Sequence, residues 1–209
     1  ADFVPHDLVT ISSRCALIRF AAIPDAVITA RLVAEGVEPG DAAAAAGAAL
    51  GDLDRARLLA HDPALNERRE AFASTPRELD GSGHVATRTA ASLLELIETA
   101  AEPVVARHEA EAAELDDRIK EFGERGSGRK QLEERHRREL RRHRTDELRS
   151  GLATIAGTYR DSLVAETARD PSEAAAAVHR IHEALETLER NPNERLLLEN
   201  LLWSLPPLR

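Results

Sequence analysis

"PVVARHEAEAAELDDRIKEF", residues 103–122, is the stretch from which the fold can be read. Val104, His108, Leu115, Ile119 and Phe122 recur three and four residues apart, with one gap of seven in the middle. That is the period of a helix with one apolar face. "GERGSG" at 123–128 breaks the helix, and beyond it Leu148, Leu152, Ile155, Tyr159 and Leu163 form a second stripe. Val178, Ile181, Leu185 and Leu188 form a third. "NPNERLLLENLLWSLPPL" at 191–208 closes the chain, with Asn193 placed as an N-cap and Pro206–Pro207 as a stop. Residues 84–209 are therefore expected to form a helical bundle of about five or six members.

Upstream, "STPRELDGSGH" at 74–84 crowds Pro, Asp, Gly and Ser together, and a domain boundary is expected there. Before it come four short helical stretches: "PDAVITARLVAEG" from Pro24, "PGDAAAAAGAAL" with Asp41 as its cap, "DLDRARLLA" from Asp52, and "PALNERREAFAST" ending at Thr75. Each is too short to stand alone, so residues 21–80 are expected to pack as one small helical module. Residues 1–20 read as loop and then strand, because "CALIRF" is β-compatible and lacks helical punctuation.

Composition agrees with an all-α chain. Aromatic residues make up only 3%, so Ala and Leu must do most of the packing, which favours closely packed helices over a β-sandwich. Cys15 is the single cysteine, which excludes an internal disulfide and fits a reducing cytoplasm. No apolar run approaches the roughly 18–20 residues that span a bilayer, so no membrane association is expected. The chain starts at Ala1 and contains no Met, and it is expected to be a piece of a longer protein. A net charge of −9 argues against broad nucleic-acid binding by the chain as a whole.

Local chemistry is sparse. Residues 129–149 carry nine Lys/Arg against five acids, which reads either as a phosphate-contacting helix or as a solvated one held by pairs such as Glu134 with Arg138. The solvated reading is preferred, because no aromatic residue is interleaved to stack on bases. Glu133 and His136 form one Glu-x-x-His pair without a second copy, and His179 and His182 lie three apart without a partner set; neither is expected to bind metal. No phosphate-cradling loop, nucleophile elbow or His-Glu-x-x-His motif is present, so no complete active site is expected.

Arg14 lies between Ser13 and Cys15 in "SSRC". This resembles the Ser-Arg-Cys motif of bacterial clamp-loader subunits, the AAA+ proteins of the DNA polymerase III holoenzyme. "PHDLVTISSRCALIRF" looks like the end of their nucleotide-binding domain, and "GDLDRARLLA" at 51–60 falls where the lid domain's sensor-2 helix begins. "RTDELRSGLATIAGTYRD" and "HRIHEALETLERNPNERLLLENLLWSLPPL" look like C-terminal collar helices. The resemblance covers nearly the whole chain in order. It implies a base-domain remnant at 1–20, a lid at 21–80 and an oligomerising collar at 84–209.

The delta subunit lacks Ser-Arg-Cys. In ATP-binding subunits the sensor-2 helix typically reads Gly-x-x-Arg, whereas "GDLD" places Asp54 at that position, with Arg55 one residue later. An acid beside triphosphate is electrostatically unfavourable, which favours the delta prime type. The resemblance further implies that Arg14 is an arginine finger acting in trans on ATP and magnesium held by a neighbouring subunit, with Ser13 and Cys15 supporting its loop. No cofactor is then expected in this chain. The implied partners are the gamma/tau and delta subunits and, through the assembled complex, the sliding clamp and primer-template DNA. Two alternatives stand beside it: a gamma/tau-type ATPase fragment, and a helical scaffold or nucleic-acid-binding bundle using residues 129–149.

Overall fold

The computed structural model describes residues 21–62, 64–122 and 128–208, and every regular element among them is an α-helix. The strand expected within 1–20 lies outside the described residues. The chain divides into two compact units between Ala60 and His61.

The first unit contains α1 (Asp25–Ala34), α2 (Pro39–Ala48) and α3 (Leu53–Leu59), which pack on one another. Helix α1 begins directly after Pro24. Helix α2 is capped by Glu38 and not by Asp41: Glu38 Oε2 accepts from the Gly40 amide at 2.7 Å, and Asp41 sits in the first turn. Pro39 fills the first helical position, where a missing N–H costs nothing. Ala42, Ala44, Ala45, Ala46 and Ala48 of α2 are buried with Ile28, Leu32 and Leu59, so this unit's core consists of small side chains around a few aliphatic ones. Asp52 caps α3 by accepting from the Arg55 amide at 3.0 Å. Gly51 before it has φ 83°, and a Cβ there would stand 2.5 Å from the Ala22 Cβ, so only glycine fits this turn.

The second unit holds α4 (Leu65–Glu78), α5 (Gly83–Phe122), α6 (Arg129–Val164), α7 (Pro171–Leu188) and α8 (Glu194–Ser204). Helix α4 runs on past Thr75 and Pro76 and packs against α5 and α6. Its Phe72 and Leu79 belong to the buried core of this unit. The sequence break at 74–84 therefore corresponds to a turn inside the second unit, where the Ser82 amide donates to Asp80 Oδ1 at 2.8 Å. Pro76 is accommodated near the end of its helix, and its carbonyl accepts from the Leu208 amide at 2.7 Å.

Two of the three sequence stripes converge in this core. Leu148, Leu152, Ile155 and Tyr159 of α6 are buried, with Leu163 at the edge; Ile181 and Leu188 of α7 face them. The Tyr159 hydroxyl donates to the Pro206 carbonyl at 2.5 Å, holding the C-terminal segment down after Leu205. Gly151 lies against the Phe72 ring, so α4 and α6 approach where α6 has no side chain.

On α5 the buried core residues run from Ala86 to Ala101, and on α6 they resume at Glu147 and Leu148. Beyond these points lie residues 103–122 and 129–144, two antiparallel helical halves that pair with each other, with Arg144 at the root reaching Glu98 of α5 and Glu194 of α8. They form an arm about 30 Å long. Pro103 stands at its root, where its missing N–H interrupts the α5 ladder.

Candidate functional site

The arm carries the densest polar chemistry of the described residues. Its seam is far less apolar than the 103–122 stripe implies. Val104, Leu115, Ile119, Leu132 and Leu140 are only half-buried, and His108, 8% exposed, is the one buried residue of the arm among those described. Nothing is described of the Phe122 side chain. The gap of seven in the stripe is filled by Glu111, whose carboxylate faces α6.

Two copies of one pattern meet at this seam: Arg107-His108 followed by Glu111 on α5, and Arg135-His136 followed by Glu139 on α6. The histidine rings stack with centroids 3.9 Å apart. His108 Nε2 lies 3.0 Å from Glu139 Oε2, and His136 Nε2 lies 2.9 Å from Glu111 Oε2. Arg107 donates to Glu139 at 2.5 Å, and Arg135 pairs with Glu111. Arg129 pairs with Asp116 nearer the tip. The hydrogen bond from His136 holds the Glu111 carboxyl below the usual carboxylate range, against partial desolvation and with help from Arg135. Desolvation pushes Glu139 the other way, but bonds from His108 and Arg107 leave it lowered too.

Glu133 is exposed and takes no part in this cluster: His136 meets Glu111 and Glu139 meets His108, and the repeated Arg-His-x-x-Glu was the signal that could have revealed the crossed arrangement. Glu134 and Arg138 form no ion pair, whereas Arg129 and Arg135 of α6 reach across to Asp116 and Glu111 of α5. His179 pairs with Glu183 of its own helix at 3.4 Å, and His182 is exposed. Among the described residues, no group of three or more His, Cys, Asp or Glu side chains is placed to hold a metal ion.

In the first unit, the cations of α3 are engaged. Arg55 Nε donates to the Ala48 carbonyl at 3.4 Å. Arg57 bridges Glu35 at 2.7 Å and Asp54 at 3.0 Å. Its hydrogen bond lowers the Glu35 carboxyl to about 2. Asp54 points outward with 91% of its side chain exposed.

At the other end of the chain, α8 buries Leu198, Leu201 and Leu202 but leaves Leu196 and Trp203 exposed at 62% and 63%. These two residues lie seven apart, on one stripe of the helix. With Gly83 and Thr87 of α5 and with Glu199 and Asn200, they line an open groove.

Arg14, Ser13 and Cys15 lie outside the described residues. Among those described, no helix is long and apolar enough to cross a membrane. The chain matches no protein-family model, no curated protein and no solved structure.

Proposed function

We propose that the chain is part of a clamp-loader subunit of the delta prime type, working in the cytoplasm. Residues 1–20 end its base domain, the first helical unit belongs to its lid, and the second unit forms the collar that joins gamma/tau and delta. The observation that carries this reading is the outward stripe of α8. Leu196 and Trp203 are large, apolar and exposed on a helix whose opposite face is already buried in its own core. A helix with two apolar faces suits a ring in which neighbouring collars pack side by side. The engaged arginines of α3 favour delta prime over gamma/tau, because Arg57 is neutralised by Glu35 and Asp54, and Asp54 would repel a triphosphate.

In this reading Arg14 acts on ATP bound by the adjacent subunit, where the fixed charge and planar fork of a guanidinium suit developing phosphoryl charge. Arg14→Ala in the assembled complex is expected to leave assembly intact and to slow hydrolysis at the neighbouring site by about 10³-fold or more. Unchanged hydrolysis at that site would remove the finger assignment.

A further inference from the structure

The outer face of α6 in the arm bears cations that the seam does not use. Lys130, Arg137, Arg138 and Arg141 are exposed, and none of them forms an ion pair among the described residues. Lys130, Arg137 and Arg141 fall on one side of the helix, turned away from His136, Leu132 and Leu140, with Glu133 and Glu134 beside them, while Arg138 stands at the edge of this side and borders the groove lined by Glu111, Leu115 and Leu132. Arg107, Arg129 and Arg135, by contrast, are spent on carboxylates across the seam. The seam's carboxylates, Glu111 and Asp116 of α5 and Glu139 of α6, are thus engaged with the seam's own cations, and α6 presents a basic strip outside it.

We infer that this strip binds the phosphate backbone of duplex nucleic acid. From Lys130 to Arg141 it extends about 16 Å, which covers roughly five base pairs of duplex at 3.4 Å each. No aromatic side chain lies along it to stack unpaired bases, which disfavours a single strand. Between Arg129 and Leu163 no large apolar side chain is exposed, so the strip lacks the anchor a protein partner would need. Phosphate contacts need no such anchor and read no sequence. The overall charge of −9 limits binding to this face. The inference rests on the clamp-loader reading only for which duplex the arm would meet, primed template DNA; its own evidence is the strip.

The test is fluorescence anisotropy of the 209-residue chain with a labelled DNA duplex, an RNA duplex of the same sequence and the matching single strand, from 50 to 200 mM salt. Four phosphate contacts predict a log–log salt slope of about −3 to −4, or about 100-fold weaker binding across that range. Lys130→Ala/Arg137→Ala/Arg138→Ala/Arg141→Ala should abolish that slope with helicity unchanged, since alanine is tolerated at exposed helix positions. Arg118→Ala/Lys120→Ala, which removes cations of α5 in the same arm, should leave it intact. Either duplex binding better supports the assignment and tells which form is preferred. Absent binding at 50 mM salt, affinity equal in the fourfold variant, preference for the single strand, or equal binding to polyglutamate would each overturn it. Assembly with gamma/tau is scored separately, so loss of the strip's function leaves the clamp-loader reading standing.

Discussion

His108 and His136 stack face to face across the arm, their planes 6° from parallel, and each imidazole meets the glutamate that lies three residues beyond the other histidine. This crossed arrangement ties α5 to α6 where neither helix has enough apolar surface to do so. The arm is a polar zipper standing on an apolar core.

His108→Ala removes the stack and one bond to Glu139, leaving that carboxylate to Arg107. The cost expected for one such hydrogen bond is about 1 kcal/mol, confined to the arm. Hydrogen exchange should rise about fivefold over residues 104–122 and 129–144 and stay unchanged in α7. Adding His136→Ala should cost less than its effect alone, because the rings act as one unit.

Acidification should loosen the arm through the same carboxylates. Glu111 and Glu139 have folded-state values lowered from 4.5. A lowered carboxylate contributes stability that is fully present above its unfolded value and lost as pH falls through the folded one. Helicity followed from pH 7 to pH 3 should therefore fall below about 4.5, and Glu111→Gln/Glu139→Gln should flatten that part of the curve.

Gly151→Ala tests how closely α4 and α6 approach. A methyl group there would overlap the Phe72 ring, which is itself only 3% exposed. Overpacking of this kind costs about 1–3 kcal/mol, read as a lowered thermal midpoint. Pairing it with Phe72→Leu should recover part of the loss.

Arg68 is 3% exposed and bridges Asp62 at 2.6 Å and Glu147 at 3.1 Å, the latter 6% exposed. Burial opposes its charge, but these two acids outweigh that and raise its pKa. Arg68→Met should destabilise the second unit by about 3 kcal/mol, because it strips a buried carboxylate of its arginine. Arg68→Met/Glu147→Leu should regain most of that in denaturant unfolding.

Most helices were legible because their ends carry punctuation: Pro24, Asp52 and Asn193 begin elements as expected, and "GERGSG" separates α5 from α6. The Pro76–Gly83 stretch misled because tertiary burial of Thr75, Pro76 and Leu79 carries α4 through a proline that local rules treat as a stop. Glu38 was hidden as a cap because glutamate is an uncommon one, and Asp41 was the stronger local signal. The arm's seam was illegible for another reason. Periodicity marks apolar faces, whereas this seam is built of histidine, arginine and glutamate whose partners lie 24 to 32 residues away.

The most direct test of the account is light scattering after size exclusion, with this chain mixed with its cognate gamma/tau subunit in the absence of nucleotide. A stable mixed complex is expected, weakened at least tenfold by Leu196→Ala/Trp203→Ala, with the variant's helicity unchanged. Independent elution of the two proteins, at concentrations on the order of tens of micromolar, would contradict the collar assignment and the clamp-loader reading with it.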